Sequence, residues 1–461
     1  MYSDDTIAAI STPPGRGGIG MVRLSGPAAL LVATSIFRSG SGAKPGVPNL
    51  AQVGRVVDTA TGKVIDEVIL TYFQAPHSYT AEDVVEICCH GSPIILGRVL
   101  QMAIDQGARI AEPGEFTFRA FFNKRIDLAQ AQAVRDVINA QTNYQARVAA
   151  KQLEGELSTR LTPLKDTLVD VIVHVESSLE FVEEDISPEA ASELLIKLEG
   201  VIASLTVIAD SFSFGRYVKE GFDLAIVGRP NVGKSSVFNR LIGADRAIVT
   251  ELPGTTRDAL YESTSISGVP VRLIDTAGIR DTTDVVESLG IRRSRSAIAD
   301  ADISLLVFEA PEPFGREDLE LLDSVPVDRR IIALNKTDLI GPEIPDETRF
   351  HFPECRESVV FISALTGRGF EELTAKIFEQ LSGDGVTERD DIMLTDARQH
   401  AAVRKAIEQL GQACELMNER ELEEIVLLKL RGGLAALGEI TGETLTDDIL
   451  GQIFSTFCIG K

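Results

Sequence analysis

The spacing of apolar positions changes three times along the chain, and each change predicts a different kind of structure. Up to about residue 120, short alternating or continuous apolar runs at 6–10, 19–24, 64–73 and 84–88 are separated by Gly/Pro turns, which predicts mixed α/β structure. Residues 39–49 carry three glycines and two prolines and read as a loop. From Leu128 to about Phe181 the spacing becomes helical, with Leu153, Leu157, Leu161, Leu164, Leu168, Val171 or Ile172, Val175 and Leu179 recurring at three or four residues. Pro163 is predicted to kink this run or divide it. A second helical pattern covers about 188–212. From 222 to about 381 an apolar strand pattern alternates with helical stretches, with strands predicted at 222–227, 271–274, 303–308, 331–334 and 359–362. Each strand is followed by a polar motif, the mark of a mostly parallel sheet with ligand loops at its carboxyl edge. Helical spacing returns at about 395–416 and 422–440. The fold class is therefore α/β plus all-α. The predicted divisions are an α/β domain at 1–120, the first part of a helical domain at 121–221, an inserted α/β nucleotide domain at 222–383, and the second part of the helical domain at 384–461.

Composition narrows the partners. The net charge is −24, so a broad basic grip on RNA is not expected, and any nucleic acid would be held locally or by a partner. No segment approaches the roughly 18 uninterrupted apolar residues of a membrane span. The acidic start Met1-Tyr2-Ser3-Asp4-Asp5 lacks the basic opening of a secretory signal. Cys88, Cys89, Cys355, Cys414 and Cys458 form no C-x-x-C pair, which predicts a reduced, cytoplasmic protein. Cys88 and Cys89 read as small core residues of a strand, one facing each way.

The most specific chemistry lies at Gly228-Arg229-Pro230-Asn231-Val232-Gly233-Lys234-Ser235, between an apolar strand and a helical pattern. This is the context of a phosphate-binding loop: backbone N–H groups turn inward, Lys234 reaches the β/γ oxygens and Ser235 meets Mg²⁺. Asp275-Thr276-Ala277-Gly278 follows the next predicted strand; Asp275 would hold Mg²⁺ through water and the Gly278 N–H would sense the γ-phosphate. Asn335-Lys336-Thr337-Asp338 supplies a carboxylate that can accept both the N1–H and the N2 amino group of guanine, whereas adenine would set a lone pair against it. Asn335 would brace the loops, the Lys336 stem would cover the base, and Ser363-Ala364-Leu365 would offer an N–H to the guanine carbonyl. The ordered motifs select GTP over ATP. Gly254-Thr255-Thr256-Arg257-Asp258 offers two threonines for Mg²⁺, and spacing alone does not choose between them. Ile279 stands where Ras-like enzymes place a water-orienting glutamine, which leaves Arg280, Asp281, Asp284 and Glu287 as polar candidates.

Together with Pro253 to Asp258, these motifs resemble the TrmE/Era/Der-like GTPases. The flanks narrow the resemblance to the MnmE (TrmE) family of tRNA wobble-uridine modification GTPases. They are Thr12-Pro13-Pro14-Gly15-Arg16-Gly17-Gly18-Ile19-Gly20, Pro113-Gly114-Glu115-Phe116-Thr117 with Arg119-Ala120-Phe121, Asp127-Leu128-Ala129-Gln130-Ala131, and the terminal Phe457-Cys458-Ile459-Gly460-Lys461. The resemblance implies a homodimer formed through the N-terminal domain, a GTPase domain inserted in a helical domain, and an FAD-containing partner, MnmG (GidA), in a heterotetramer. With that partner the family adds aminomethyl or carboxymethylaminomethyl groups at carbon 5 of the wobble uridine of certain tRNAs. The carbon comes from 5-formyltetrahydrofolate or a related one-carbon folate.

Carried over residue by residue, the resemblance makes Asn231 a K⁺ ligand, with Thr250, Leu252 and Thr255 completing the site. Ser235 and Thr256 then ligate Mg²⁺, and Glu287 orients the attacking water. Nucleotide contacts would run through Asn231, Val232, Gly233, Lys234, Ser235 and Ser236, then through Thr250, Glu251, Leu252, Pro253, Gly254, Thr255 and Thr256. They continue with Asp275, Thr276, Ala277 and Gly278 and with the two guanine motifs. For folate it points to Arg23, Glu86 and Lys461, with Arg125 where the family carries a lysine; Glu86 would pair with the pterin edge and Arg23 with the glutamate tail. Cys458 is a candidate catalytic thiol whose thiolate would be the reactive form. Two other readings stand beside this one, an Era/Der-like ribosome-assembly GTPase and a regulatory GTP switch. The chain has no basic C-terminal module to support the first, and folate binding would exclude the second.

Overall fold

The computed structural model describes residues 5–40, 42, 45–180, 188–244, 261–275, 298, 301–310, 315–340, 359–383, 393–419 and 422–460. The chain divides into two compact units. One comprises Met1–Arg135, Leu153–Ser158 and Gly438–Lys461, the other Asp136–Gln152 and Thr159–Leu437. The segment from Gly438 onward, read from sequence as part of the helical domain, thus groups with the N-terminal unit.

In the first unit β1 (Ile7–Ile10), β2 (Gly17–Ser25), α1 (Ala29–Ile36), β3 (Phe37–Ser39), β4 (Ala51–Val57), β5 (Val64–Phe73), β6 (Val84–Gly91), α2 (Pro93–Asp105), β7 (Arg109–Ile110), α3 (Glu115–Phe122) and α4 (Leu128–Asn139) follow in order. The strands form one sheet, β3-β4-β5-β6-β2-β1-β7, antiparallel except for the β1–β7 pair. Along β5 burial alternates, because Val68, Leu70 and Tyr72 face a core shared with Val32 and Ile36 of α1 and Val99 and Met102 of α2. Burying these side chains stabilises the unit by about 1.5–3 kcal/mol each for the large ones. The strands at 37–39, 51–57 and 109–110 lie outside the apolar runs that predict strands.

The second unit contains α5 (Asn143–Leu153), α6 (Glu156–Glu180), α7 (Pro188–Asp210), α8 (Phe212–Glu220), β8 (Phe222–Val227), α9 (Lys234–Ala244), β9 (Tyr261–Ile266), β10 (Val269–Asp275), β11 (Ile303–Glu309), α10 (Arg316–Ser324), β12 (Arg330–Asn335), β13 (Val359–Phe361), α11 (Phe370–Ser382), α12 (Ala397–Glu419) and α13 (Glu423–Thr441). A last helix, α14 (Asp447–Ser455), returns to the first unit. The long 128–181 pattern is three helices, and Pro163 does not divide it. The breaks fall at 140–142 and at Gly155, whose φ of 87° is left-handed. Pro163 lies inside α6 on its solvent-exposed side, while Leu157, Leu161, Leu168, Val171 and Val175 bury the opposite stripe. Helix α7 packs along α12, and Leu198, Val201 and Leu205 on the one and Ala402, Val403, Ala406 and Leu410 on the other are all buried.

The six-stranded sheet runs β13-β12-β11-β8-β10-β9, parallel except for β9. Its central strands are nearly continuous apolar runs because both faces are covered: Leu224, Ile226, Leu305 and Val307 enter one core, and Ala225, Val227, Leu306 and Phe308 the other. The register brings Leu306 beside Val227, Glu309 beside Asn335 and Asp275 beside Ile226. The polar motifs at the strand ends therefore emerge together at the carboxyl edge. Among the described residues no helix is long and apolar enough to cross a membrane.

Candidate functional site

Strand β8 ends at Val227, and the chain turns tightly before α9 begins at Lys234. The turn needs unusual backbone at two places, with Asn231 at φ 68° and Gly233 at φ 98°. Gly228 lies so close to the sheet that a Cβ there would come within 2.3 Å of the Val307 carbonyl oxygen. Val232 is buried, and Ser235 and Ser236 are exposed on the first turn of α9. The first turn of a helix presents backbone N–H groups that have no partner four residues back within the helix, and this end of α9 suits an anion. Lys234 Nζ donates to the carbonyls of Gly228 and Arg229 at 2.9 and 2.7 Å, which folds the ammonium over the loop. Arg229 pairs with buried Asp318 at 2.7 Å, and Asp318 also accepts from the Gly315 N–H to cap α10. The outer limb of the loop is thereby tied to the neighbouring helix.

Asn335 joins this loop to the guanine motifs. The side chain is buried at the end of β12; Nδ2 donates to the Val232 carbonyl at 2.9 Å and Oδ1 accepts from the Ala364 N–H at 3.0 Å. A Cβ on Gly233 would lie 2.3 Å from Asn335 Nδ2, so the approach requires glycine. Lys336 has left-handed backbone (φ 65°), and its ammonium pairs with Glu309 at 2.8 Å, which fixes the direction of its stem. Thr337 is buried and bonds the Ile362 carbonyl through both N–H and hydroxyl. Asp338 is exposed, and one of its oxygens accepts from Ser363 Oγ at 2.6 Å. That bond sets the carboxylate's rotation while leaving lone pairs on both oxygens for two donors on a base. Leu365 is exposed beside it.

The structure thus brings together Asn231, Val232, Gly233, Lys234, Ser235 and Ser236 with Asn335, Lys336, Thr337, Asp338, Ser363, Ala364 and Leu365. The backbone of Asp275 ends β10 at the same edge. Thr250, Glu251, Leu252, Pro253, Gly254, Thr255, Thr256, Thr276, Ala277, Gly278 and Glu287 lie outside the described residues, as does Lys461. Sequence reasoning missed Glu309, Asp318 and Arg240, the last of which donates to the Ala364 and Leu365 carbonyls at 2.8 Å each. No motif marks them, because each acts on a partner distant in sequence.

In the first unit Arg23 and Glu86 are direct cross-strand neighbours on β2 and β6. Arg23 donates through Nε and Nη2 to Glu86 Oε1 at 3.0 and 2.8 Å, with both side chains largely buried. The pair is therefore a largely buried ion pair and not two separate surface charges. Tyr79 and Phe116 flank the Arg23 guanidinium at 5.3 and 5.7 Å, and exposed Arg125 lies 5.8 Å from the Tyr79 ring. Burial pushes the Tyr79 phenol up, against the opposing pull of Arg23 and Arg125. No sequence motif marks Tyr79, whose place beside Arg23 follows from the fold.

The C-terminal segment packs on the same unit. Gly460, at φ 91°, abuts the end of β1, where a Cβ would come within 2.4 Å of the Ile10 carbonyl oxygen. The Cys458 thiol is free and exposed. Cys89 is buried, and burial, followed by Asp66, pushes its thiol up to about 12; Cys88 is half-buried on the other face. Among the described residues no group of three or more His, Cys, Asp or Glu could hold a metal ion. The Ser235 hydroxyl and the Asn231 amide oxygen at the phosphate loop are oxygen donors of the kind hard cations take.

Two family descriptions match the chain: the MnmE helical domain over residues 128–458, and the GTP-binding protein TrmE N-terminus over residues 6–125. Among curated relatives, the tRNA modification GTPase MnmE of Koribacter versatilis is 47% identical, with 100% of each chain covered. That of Aquifex aeolicus is 43% identical over 99% of this chain and 100% of the relative, and that of Alkaliphilus metalliredigens is 41% identical over 100% of both. With a phosphate loop, a guanine-type carboxylate motif and full-length likeness of this kind, the chain belongs to the MnmE (TrmE) family of GTPases.

Proposed function

We propose that this chain is a GTP-hydrolysing enzyme of tRNA modification. In this reading it works with an FAD-containing MnmG partner to add an aminomethyl or carboxymethylaminomethyl group at carbon 5 of the wobble uridine. The observation that carries the nucleotide half is the buried Asn335 side chain, which spans the phosphate loop and the 363–365 loop and so joins phosphate binding to base reading. GTP would lie with its phosphates on the N–H groups of Asn231 to Ser235 and its base against Asp338. Mg²⁺ would take Ser235 and Thr256, and K⁺ would take Asn231 with backbone oxygens of Thr250, Leu252 and Thr255. An ion held by Asn231 would supply positive charge to offset the negative charge that grows on the phosphates in the transition state. Glu287 would orient water in place of the glutamine that Ile279 replaces.

In the first unit the Arg23–Glu86 pair, with Arg125 and Lys461, would receive a one-carbon folate. A largely buried carboxylate suits the two-donor edge of a pterin, and the flanking Tyr79 and Phe116 rings suit its flat face. As the pair is placed, Glu86 would turn from Arg23 to the ligand. Cys458 would serve as an accessible thiol near that pocket. A homodimer, a heterotetramer with MnmG, a cytoplasmic location and the 1–120, 121–221, 222–383 and 384–461 division complete the reading. The acid charge of −24 favours tRNA held mainly by the partner. GTP turnover at saturating Mg²⁺ tests the ion site. It should be several-fold or more faster in KCl than in NaCl, and equal rates in the two salts would refute the assignment of K⁺ to Asn231.

A further inference from the structure

The loop that meets the base is held from two sides. On one side Asn335 takes the Ala364 N–H and Asp338 takes the Ser363 hydroxyl. On the other, Arg240 of α9 donates Nε to the Ala364 carbonyl and Nη2 to the Leu365 carbonyl, each at 2.8 Å. The guanidinium is itself fixed. It lies 5.8 Å from the Phe370 ring centre, and Gly367 makes room for it, since a Cβ there would fall 2.8 Å from Nη1.

Peptide planarity turns these two bonds into directions. In a trans peptide the C=O and the following N–H point opposite ways. Holding the Ala364 carbonyl on Arg240 therefore aims the Leu365 N–H away from α9, toward the side where Asn335 and Asp338 lie. Holding the Leu365 carbonyl likewise aims the Thr366 N–H, which donates to Ser363 Oγ at 3.1 Å. Ser363 Oγ in turn donates to Asp338 at 2.6 Å. One rigid fork thus sets both an N–H donor for the 6-oxo group of guanine and the carboxylate that accepts its N1–H.

We propose that Arg240 is a positioning residue for base specificity: from the phosphate-loop helix it orients the Leu365 N–H and the Asp338 carboxylate toward the 6-oxo and N1–H edge of guanine. This rests on the guanine reading of the site. It also makes base recognition and phosphate binding share one helix, because Lys234 and Arg240 are both on α9. Arginine suits the task, since a planar fork can hold two carbonyls at once and a lysine ammonium fixes neither direction.

The test is a ligand cycle. Equilibrium affinities of wild type, Arg240→Met and Arg240→Lys are measured for GDP, inosine 5′-diphosphate and 2-aminopurine riboside 5′-diphosphate by displacement of a fluorescent GDP. Methionine keeps the length and packing of the side chain but removes its donors. Inosine keeps the 6-oxo and N1–H edge, and 2-aminopurine lacks both. Arg240→Met should weaken GDP by about tenfold, inosine diphosphate, which lacks the 2-amino group, by nearly as much, and 2-aminopurine riboside diphosphate, which keeps only the 2-amino contact to Asp338, by less than about threefold. Arg240→Lys should give the same pattern with a smaller loss. Equal weakening of all three nucleotides would overturn the proposal in favour of a merely structural arginine, and so would no weakening of any. Wild type that binds ADP as tightly as GDP would overturn the guanine reading itself and the proposal with it.

Discussion

Replacing Asn335 by alanine tests how the nucleotide site is held together. The buried side chain makes two hydrogen bonds, to the Val232 carbonyl at 2.9 Å and from the Ala364 N–H at 3.0 Å. Each is worth about 1 kcal/mol net, and a partner left dry and unpaired costs about 1–3 kcal/mol. Some of that is recovered if water enters the space vacated beside Gly233. The expected loss is therefore about 2–4 kcal/mol, divided between the stability of the unit and its affinity for nucleotide. If most of it falls on binding, GDP affinity drops roughly 30- to 1,000-fold. Fluorescent-GDP titration measures that share, and urea unfolding without nucleotide measures the rest. Asn335→Asp sharpens the test. It keeps an acceptor for Ala364 but sets a carboxylate oxygen against the Val232 carbonyl, so it should bind no better than the alanine variant. An alanine variant with GDP affinity within about threefold of wild type and an unchanged unfolding midpoint would show that Asn335 does not hold the two loops together.

Three further outcomes follow from the same geometry. Gly233→Ala combines a left-handed φ of 98° with a Cβ 2.3 Å from Asn335 Nδ2, so it should abolish GDP binding in titrations that detect wild type easily. The β9–β10 turn is anchored within its unit by Thr142 Oγ1, which donates to the Gly268 carbonyl at 2.6 Å, while Tyr144 packs on Gly268 itself. Thr142→Val should therefore lower the unfolding free energy by about 1–2 kcal/mol, as seen in urea titration. Arg109, aided by Arg119, holds the Asp5 carboxyl down from 3.8 to about 2. A depressed carboxyl adds stability that is complete above its unfolded pKa and vanishes as pH falls through the folded value. Wild type should thus lose more stability than Asp5→Asn between about pH 4 and pH 2, and parallel acid-unfolding curves would contradict this.

The pattern of the sequence revealed the parallel sheet because strands buried on both faces are runs of apolar residues, as in 222–227 and 303–308. Strand β9 was hidden by its composition: Tyr-Glu-Ser-Thr-Ser-Ile reads as polar, yet Thr264 and Ser265 are buried. Strand β4 was hidden differently. Its inward positions are Gln52, Gly54 and Val56, and Gly54 is small because Phe37 fills the space, where a Cβ would meet the ring at 2.3 Å. Periodicity cannot register a glycine that makes room for a phenyl ring. The division at 140–142 and 154–155 is likewise masked, since the apolar spacing continues through it.

At the site, motif residues were legible because phosphate and guanine impose fixed chemistry at fixed spacing. Asn335 could be assigned a bracing role from that alone. Arg240 and Asp318 could not. Arg240 bonds backbone carbonyls at positions 364 and 365, and Asp318 pairs with a loop arginine from a neighbouring helix. Backbone partners leave no trace in side-chain identity, and pairs distant in the chain leave none in local spacing. The Arg23–Glu86 pair was recognised residue by residue through the family resemblance, but their meeting across two strands follows only from the β2–β6 register.

In the proposed function, GTP turnover by this chain serves modification of the tRNA wobble uridine. That role is tested most directly by mass-spectrometric nucleoside analysis of tRNA from cells lacking the protein and complemented with wild type or with Asp338→Asn. The 5-substituted wobble uridine should disappear, return with wild type, and stay well below the wild-type level with Asp338→Asn, which lacks the carboxylate that accepts from guanine. A nucleoside profile unchanged by loss of the protein would contradict that role.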